Sequence, residues 1–213
     1  MKQLTLLLIF FLLSCENKPK NNSDSEGEKQ NKEIAKKIPE MGAATLNPWF
    51  QYYQKENPDF KRGNFKLEQT SPISFQKTSL PILNSKGFNE IYKPFLVFNE
   101  SKSKYLDFDS YQWFPNADGS ASFEADQQVV LVDYVKKEAK QIAYFGPSYW
   151  IEEAIWKGDS VAVLMGNSYE KIPFIFEYNF PKSTFNYFKY PDTLQFKTPY
   201  SEFRLKSKGI NVN

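Results

Sequence analysis

Asp107 and Asp109 flank Phe108 and are the two carboxylates whose spacing suggests chemistry. Side chains alternate between the faces of an extended strand, so residues two apart share a face about 7 Å from each other. That separation lies within the roughly 6.5–9.5 Å that inverting glycoside hydrolysis needs for an acid, a base and a water. The same spacing arises wherever an antiparallel strand turns a polar face to water, which is the simpler reading. Asn116 and Asp118 add oxygen atoms nearby, but the Asp-x-Asp-x-Asp-Gly pattern of a calcium loop is missing, and turn chemistry accounts for Asn116-Ala117-Asp118-Gly119. Glu152 and Glu153 are adjacent and so face opposite sides of a strand, which prevents them from acting as an acid and base pair. One is expected beside a basic cross-strand neighbour and the other in solvent.

The chain contains no histidine, and its one cysteine is Cys15. Ser-His-Asp triads, Cys-His pairs and His-ligated zinc are therefore ruled out, and any catalysis would rest on carboxylates, lysine, tyrosine or serine. Ser101 and Lys104 fit the Ser-x-x-Lys motif of penicillin-binding proteins and β-lactamases. That motif opens a helix beside Ser-Asp-Asn and Lys-Thr-Gly elements. Here it falls in a turn, Ser-Asp-Asn is missing, and the nearest third element is Lys197-Thr198-Pro199, so a chance match is the reading adopted. With no nucleophile elbow and no phosphate-cradling glycine loop, the sequence indicates neither a catalytic constellation nor a cofactor or metal.

Binding is the remaining chemistry. The 27 basic and 25 acidic side chains leave a formal charge of +2, which provides no single-sign field for nucleic acid. Aromatic residues make up 17% of the chain, enough to fill a core and leave some rings at the surface. Tyr111, Trp113 and Phe114, then Tyr149 and Trp150, flank strand ends, where an exposed ring could stack on a sugar or be covered by a partner protein. Most such rings are expected inside.

The elements that position these residues are short strands. Aromatic and β-branched runs predict strands at 64–69, 73–77, 95–98, 104–108, 111–114, 120–124, 128–135, 140–145, 151–156, 160–165, 174–179 and 184–190, divided by turns such as Lys157-Gly158-Asp159 and Pro181-Lys182-Ser183. Val129–Val132 is continuously apolar, as in a central strand covered on both faces. Asn47 and Pro48 predict a short helix before the strands, with Asn47 as its N-cap. The fold class is all-β: an antiparallel meander, sandwich-like or propeller-blade-like, with one short N-terminal helix. The run from Val129 past Trp150 resembles one and a half blades of a β-propeller. No blade repeat recurs, and a closed ring needs more chain, so an open meander, sandwich or small barrel is favoured.

The beginning of the chain gives an address. Lys2, the apolar run Leu4 to Leu13, and Leu12-Leu13-Ser14-Cys15 resemble the signal peptide and lipobox of bacterial lipoproteins. The resemblance implies cleavage before Cys15, a diacylglycerol on its sulfur and an acyl chain such as palmitate on its amino group, two signals that suffice for stable anchoring. Residues 1–14 are then the signal peptide and residues 15–38 a lipidated, polar tether without an aromatic residue. A flexible tether of that length reaches on the order of 25 Å. Residues 39–213 form a single β-rich domain. The richness in Lys, Asn and Phe is similar to that of small lipoproteins of Gram-negative Bacteroidota, which implies an outer-membrane address in the cell envelope.

The expectation is a non-enzymatic, membrane-anchored module. It contacts the lipid bilayer through Cys15 and binds a protein or glycan of the cell envelope. The alternative is a polysaccharide hydrolase with Asp107 and Asp109 as acid and base.

Overall fold

The structure is a computed structural model that describes residues 47–212. The expected signal peptide, Cys15 and tether lie outside the described residues. Asn47 and Pro48 open α1 (Pro48–Gln54) as expected: the Asn47 side chain accepts the Trp49 amide at 2.9 Å, and Pro48 takes the first position, where its missing N–H loses no bond. Eleven strands follow among the described residues: β1 (Lys66–Pro72), β2 (Val97–Phe98), β3 (Lys104–Asp107), β4 (Trp113–Pro115), β5 (Ala121–Phe123), β6 (Gln127–Asp133), β7 (Glu138–Phe145), β8 (Tyr149–Lys157), β9 (Val161–Ser168), β10 (Pro173–Asn179) and β11 (Thr184–Lys189). A second helix, α2 (Tyr200–Ser207), comes after them.

Every strand-to-strand pairing is antiparallel. One sheet runs β1-β11-β10-β9-β8, a second β2-β3-β6-β7, and β4 and β5 form a separate hairpin. The all-β class expected from the sequence is what the structure shows. The expected strand at 73–77 is the exception: only a single bridge joins Gln76 to Gln141.

The two larger sheets share one apolar core, to which Leu106, Val129 and Ile142 contribute from one sheet and Ala154, Leu164, Phe174 and Tyr178 from the other. Strand alternation carries the layering further. Ala162 and Leu164 of β9 enter that core, whereas Val163 and Met165 join Trp49, Phe50 and Tyr53 of α1 on the opposite face. The Val129–Val132 run divides the same way, with Val129 between the sheets and Val130 and Val132 under the 80–98 segment, as expected for a strand covered on both faces.

Two local irregularities set up the site. A bulge in β8 between Ile151 and Glu153 leaves Glu152 as the extra residue opposite β9. Facing it, Gly166 is obligatory, because a Cβ there would overlap the Trp150 carbonyl oxygen and the Phe174 ring. The second is the C-terminal end of α2. Gly209, at φ +82°, donates to the Lys206 carbonyl and Ile210 donates to Leu205, the paired bonds of a Schellman motif. Leu205 and Ile210 then pack in one cluster with Trp113 and Phe95, which docks α2 beside the β4–β5 hairpin.

Candidate functional site

Where β8 begins, the β4–β5 hairpin and α2 meet and enclose a cleft of about 210 Å³. Trp150, Phe123 and Leu205 line its apolar side, and Gln112, Ser201 and Glu202 its polar side. Its back is built from a buried ion pair. The Arg204 guanidinium donates to both Asp109 oxygens, at 2.7 and 3.0 Å, and both residues are buried. The Arg204 carbon lies 4.8 Å from the centre of the Phe108 ring and 5.6 Å from that of Phe95, a stacked setting suited to a planar cation. Burial alone would lower the Arg204 pKa, but the charge and hydrogen bonds of Asp109 outweigh it and raise it.

The expected arrangement of Asp107 and Asp109 on one face is not found. The strand ends at Asp107, and the backbone turns so that its carboxylate accepts the amides of Asp109 and Ser110 and the Ser110 hydroxyl. Asp109 leaves the sheet for Arg204 and also accepts the Trp113 indole N–H at 3.1 Å. Nor do the two carboxylates face water, since both side chains are buried. Burial raises the Asp107 pKa, the Ser110 hydrogen bonds pull it down, and the neighbouring Asp109 raises it further. Asp107 closes β3 and Asp109 lies in the loop that follows, both held by these hydrogen bonds.

Glu152 also departs from expectation. It has no basic neighbour and no exposure at all. Its carboxylate accepts the Trp49 indole N–H at 2.7 Å, the Asn167 amide at 2.8 Å, the Tyr53 hydroxyl at 2.9 Å and the Ser201 backbone N–H at 3.3 Å. Four donors from α1, β9 and α2 thus meet on the bulged residue. Burial pushes the Glu152 carboxyl above its ordinary range, against the pull of these hydrogen bonds. Glu153, paired opposite Met165, accepts the Tyr200 hydroxyl at 2.8 Å. The expected separation of the two glutamates onto opposite faces is not found: the bulge turns both toward the start of α2, Glu152 to the Ser201 amide and Glu153 to the Tyr200 hydroxyl. Ser101 sits in the β2–β3 turn and Lys104 opens β3, away from any helix start among the described residues, with the Ser101 amide donating to Asp159.

The five aromatic candidates do not form one surface. Trp113 is 1% exposed; Tyr92 and Phe95 pack edge-on against its ring, and its N–H is taken by Asp109, so it supports the cleft instead of contacting a ligand. Trp150 is half-buried and faces the cleft. Tyr149 precedes it by one residue and so points to the other side of β8, where it borders a separate hollow with Tyr187 and Lys189. Tyr111 is half-buried, its ring 6.2 Å from Tyr144. Phe114 is exposed on the hairpin.

Gln112, Gln127, Ser201, Glu202 and Arg204 were not among the residues the sequence singled out. Gln127 holds the edge of β8: its side chain accepts the Ile151 amide at 2.6 Å and donates to the carbonyls of Ile151 and Phe108. The signals for α2 were Pro199 before it, Glu202 in its first turn and Gly209 after it, but nothing in the local sequence pairs Arg204 with Asp109. Among the described residues no group of three His, Cys, Asp or Glu side chains could hold a metal ion. No protein-family model, curated protein or solved structure matches this chain.

Proposed function

We propose that this chain is a lipid-anchored protein of the bacterial cell envelope whose β domain binds an envelope protein or glycan without transforming it. The observation that carries the reading is the division of labour at the cleft. Trp150 offers a partly exposed ring over a concave surface, whereas Asp107 and Asp109, the pair that could have served as acid and base, are committed to structural hydrogen bonds. A general acid or base has to reach the proton it transfers, and Asp107 and Asp109 are enclosed. Concave, largely apolar sites with a few polar groups at their rim are the usual places of ligand recognition. The anchor rests on the lipobox around Cys15, and no described helix is long and apolar enough to cross a membrane.

The anchor is tested by feeding cells labelled palmitate: the wild-type chain incorporates label and Cys15→Ser does not. Binding is tested by placing a photoreactive amino acid at position 150 and irradiating living cells. One reproducible envelope adduct supports the proposal. No adduct at position 150, with a soluble rather than lipid-bound chain, would remove it.

A further inference from the structure

Resting on the binding-module reading, we infer that the cleft between the β4–β5 hairpin, β8 and α2 is a subsite for one neutral sugar ring of a glycan. Size is the first constraint. At about 210 Å³ the cleft is smaller than the roughly 300–1,000 Å³ of sites that enclose drug-sized ligands. It admits a ring or a single side chain and excludes a helix.

Polarity selects between those two. Trp150 and Phe123 give the cleft flat aromatic faces, on which the C–H face of a sugar packs as readily as an apolar side chain does. The opposing wall, however, carries hydrogen-bonding capacity that the protein leaves unused. The Ser201 hydroxyl has no partner among the described residues, and Gln112 Oε1 is buried without a donor. The Glu202 carboxylate has only a long ion pair, 3.6 Å, to Lys206. An apolar side chain pressed into the cleft would strip water from Ser201 and Glu202 and give nothing back, a penalty for each polar group left unpaired. Sugar hydroxyls are donors and acceptors placed around an apolar ring face, which is the complement of this lining.

Charge narrows the class further. Arg204 is the one cation lining the cleft among the described residues; both oxygens of Asp109 neutralise its charge through the two terminal nitrogens, and only its buried Nε–H is left without a partner. Glu202 therefore leaves the lining neutral to negative. A uronate, a sulfated sugar or a phosphate would meet no available cation, so a neutral ring is selected.

The test is a titration of the full chain in detergent, following tryptophan fluorescence. The probes are neutral oligosaccharides of glucose, mannose, galactose and N-acetylglucosamine, with uronic-acid and sulfated oligosaccharides beside them. At least one neutral probe is expected to saturate the signal. Trp150→Ala should weaken that probe at least ten-fold, and Ser201→Ala several-fold, with thermal unfolding recorded to show that each variant is folded. Ser201→Ala keeps its backbone N–H on Glu152, so it reads the cleft even if Trp150→Ala does not fold. Binding of no neutral probe, tighter binding of the anionic ones, or affinity unchanged in both variants would overturn the inference. An envelope protein joined to position 150 in cells, with no sugar bound, would overturn the sugar assignment and leave the binding module standing.

Discussion

Asp109 and Glu152 are both buried carboxylates, and the fold satisfies them by opposite means. Asp109 meets a cation: Arg204 binds both its oxygens, and the pair is stacked between Phe108 and Phe95. Glu152 meets no cation and is held by four neutral donors from three other elements. The charge-paired node ties α2 to the loop after β3, and the donor-paired node ties α1 and α2 to the bulge of β8. A cation supplies most of its effect through one residue, so that node has a single point of failure. Four separate donors distribute the effect, so loss of any one leaves the others in place.

The sharpest way to break this comparison is Arg204→Met, which leaves Asp109 buried without its counter-charge. A loss of about 3–5 kcal/mol in unfolding free energy is expected by urea denaturation. Adding Asp109→Leu should recover most of it, because two apolar residues leave no charge to desolvate. If the double variant were as unstable as the single, the ion pair would not be what holds α2. At the other node, Glu152→Gln turns one acceptor into a donor facing donors and should cost about 1–3 kcal/mol. Trp49→Phe removes one of the four donors while the acceptor keeps the rest, and a smaller loss, about 1 kcal/mol, should follow.

Protonation distinguishes the nodes without changing their size. Burial raises the Glu152 pKa in the folded chain, so between its unfolded and folded values the folded state carries more protons. Its contribution to stability is full below the unfolded pKa and is lost as pH rises through the folded one. Asp107, also raised by burial, acts in the same direction. Glu152→Gln should therefore flatten the fall in stability with rising pH without abolishing it, as read from denaturation midpoints across the acid range. An unchanged slope would mean that Glu152 does not titrate with folding. The smallest effect is expected at Tyr169, which is 77% exposed: Tyr169→Ser should stay within about 0.5 kcal/mol and marks the background for the rest.

Sheet edges show where local sequence stops being informative. The meander β8-β9-β10-β11 could be read because each turn is short and carries residues such as Gly158 and Ser183 that adopt positive φ. The place of β1 beside β11 could not, since Lys66 pairs with Lys189 across most of the domain and nothing in either strand names the other. Among the candidate site residues, Trp150 was legible as an aromatic at a strand start. Trp113 was legible only as an aromatic, and its burial depends on Tyr92, Phe95 and α2.

The sequence by itself determined the all-β class, most strand positions, the Asn47 and Pro48 helix start and the exclusion of histidine chemistry. These follow from residue type, two-residue periodicity and turn residues, all of which act over a few positions. Only the tertiary structure decided that Asp107 and Asp109 part at the end of β3 and that a bulge carries Glu152 inward. It also decided that Arg204, 95 residues away from Asp109 in the chain, closes the cleft behind Trp150. Each of these is a choice of partner, and a buried charge or donor accepts whichever complementary group the packing of distant elements brings within reach.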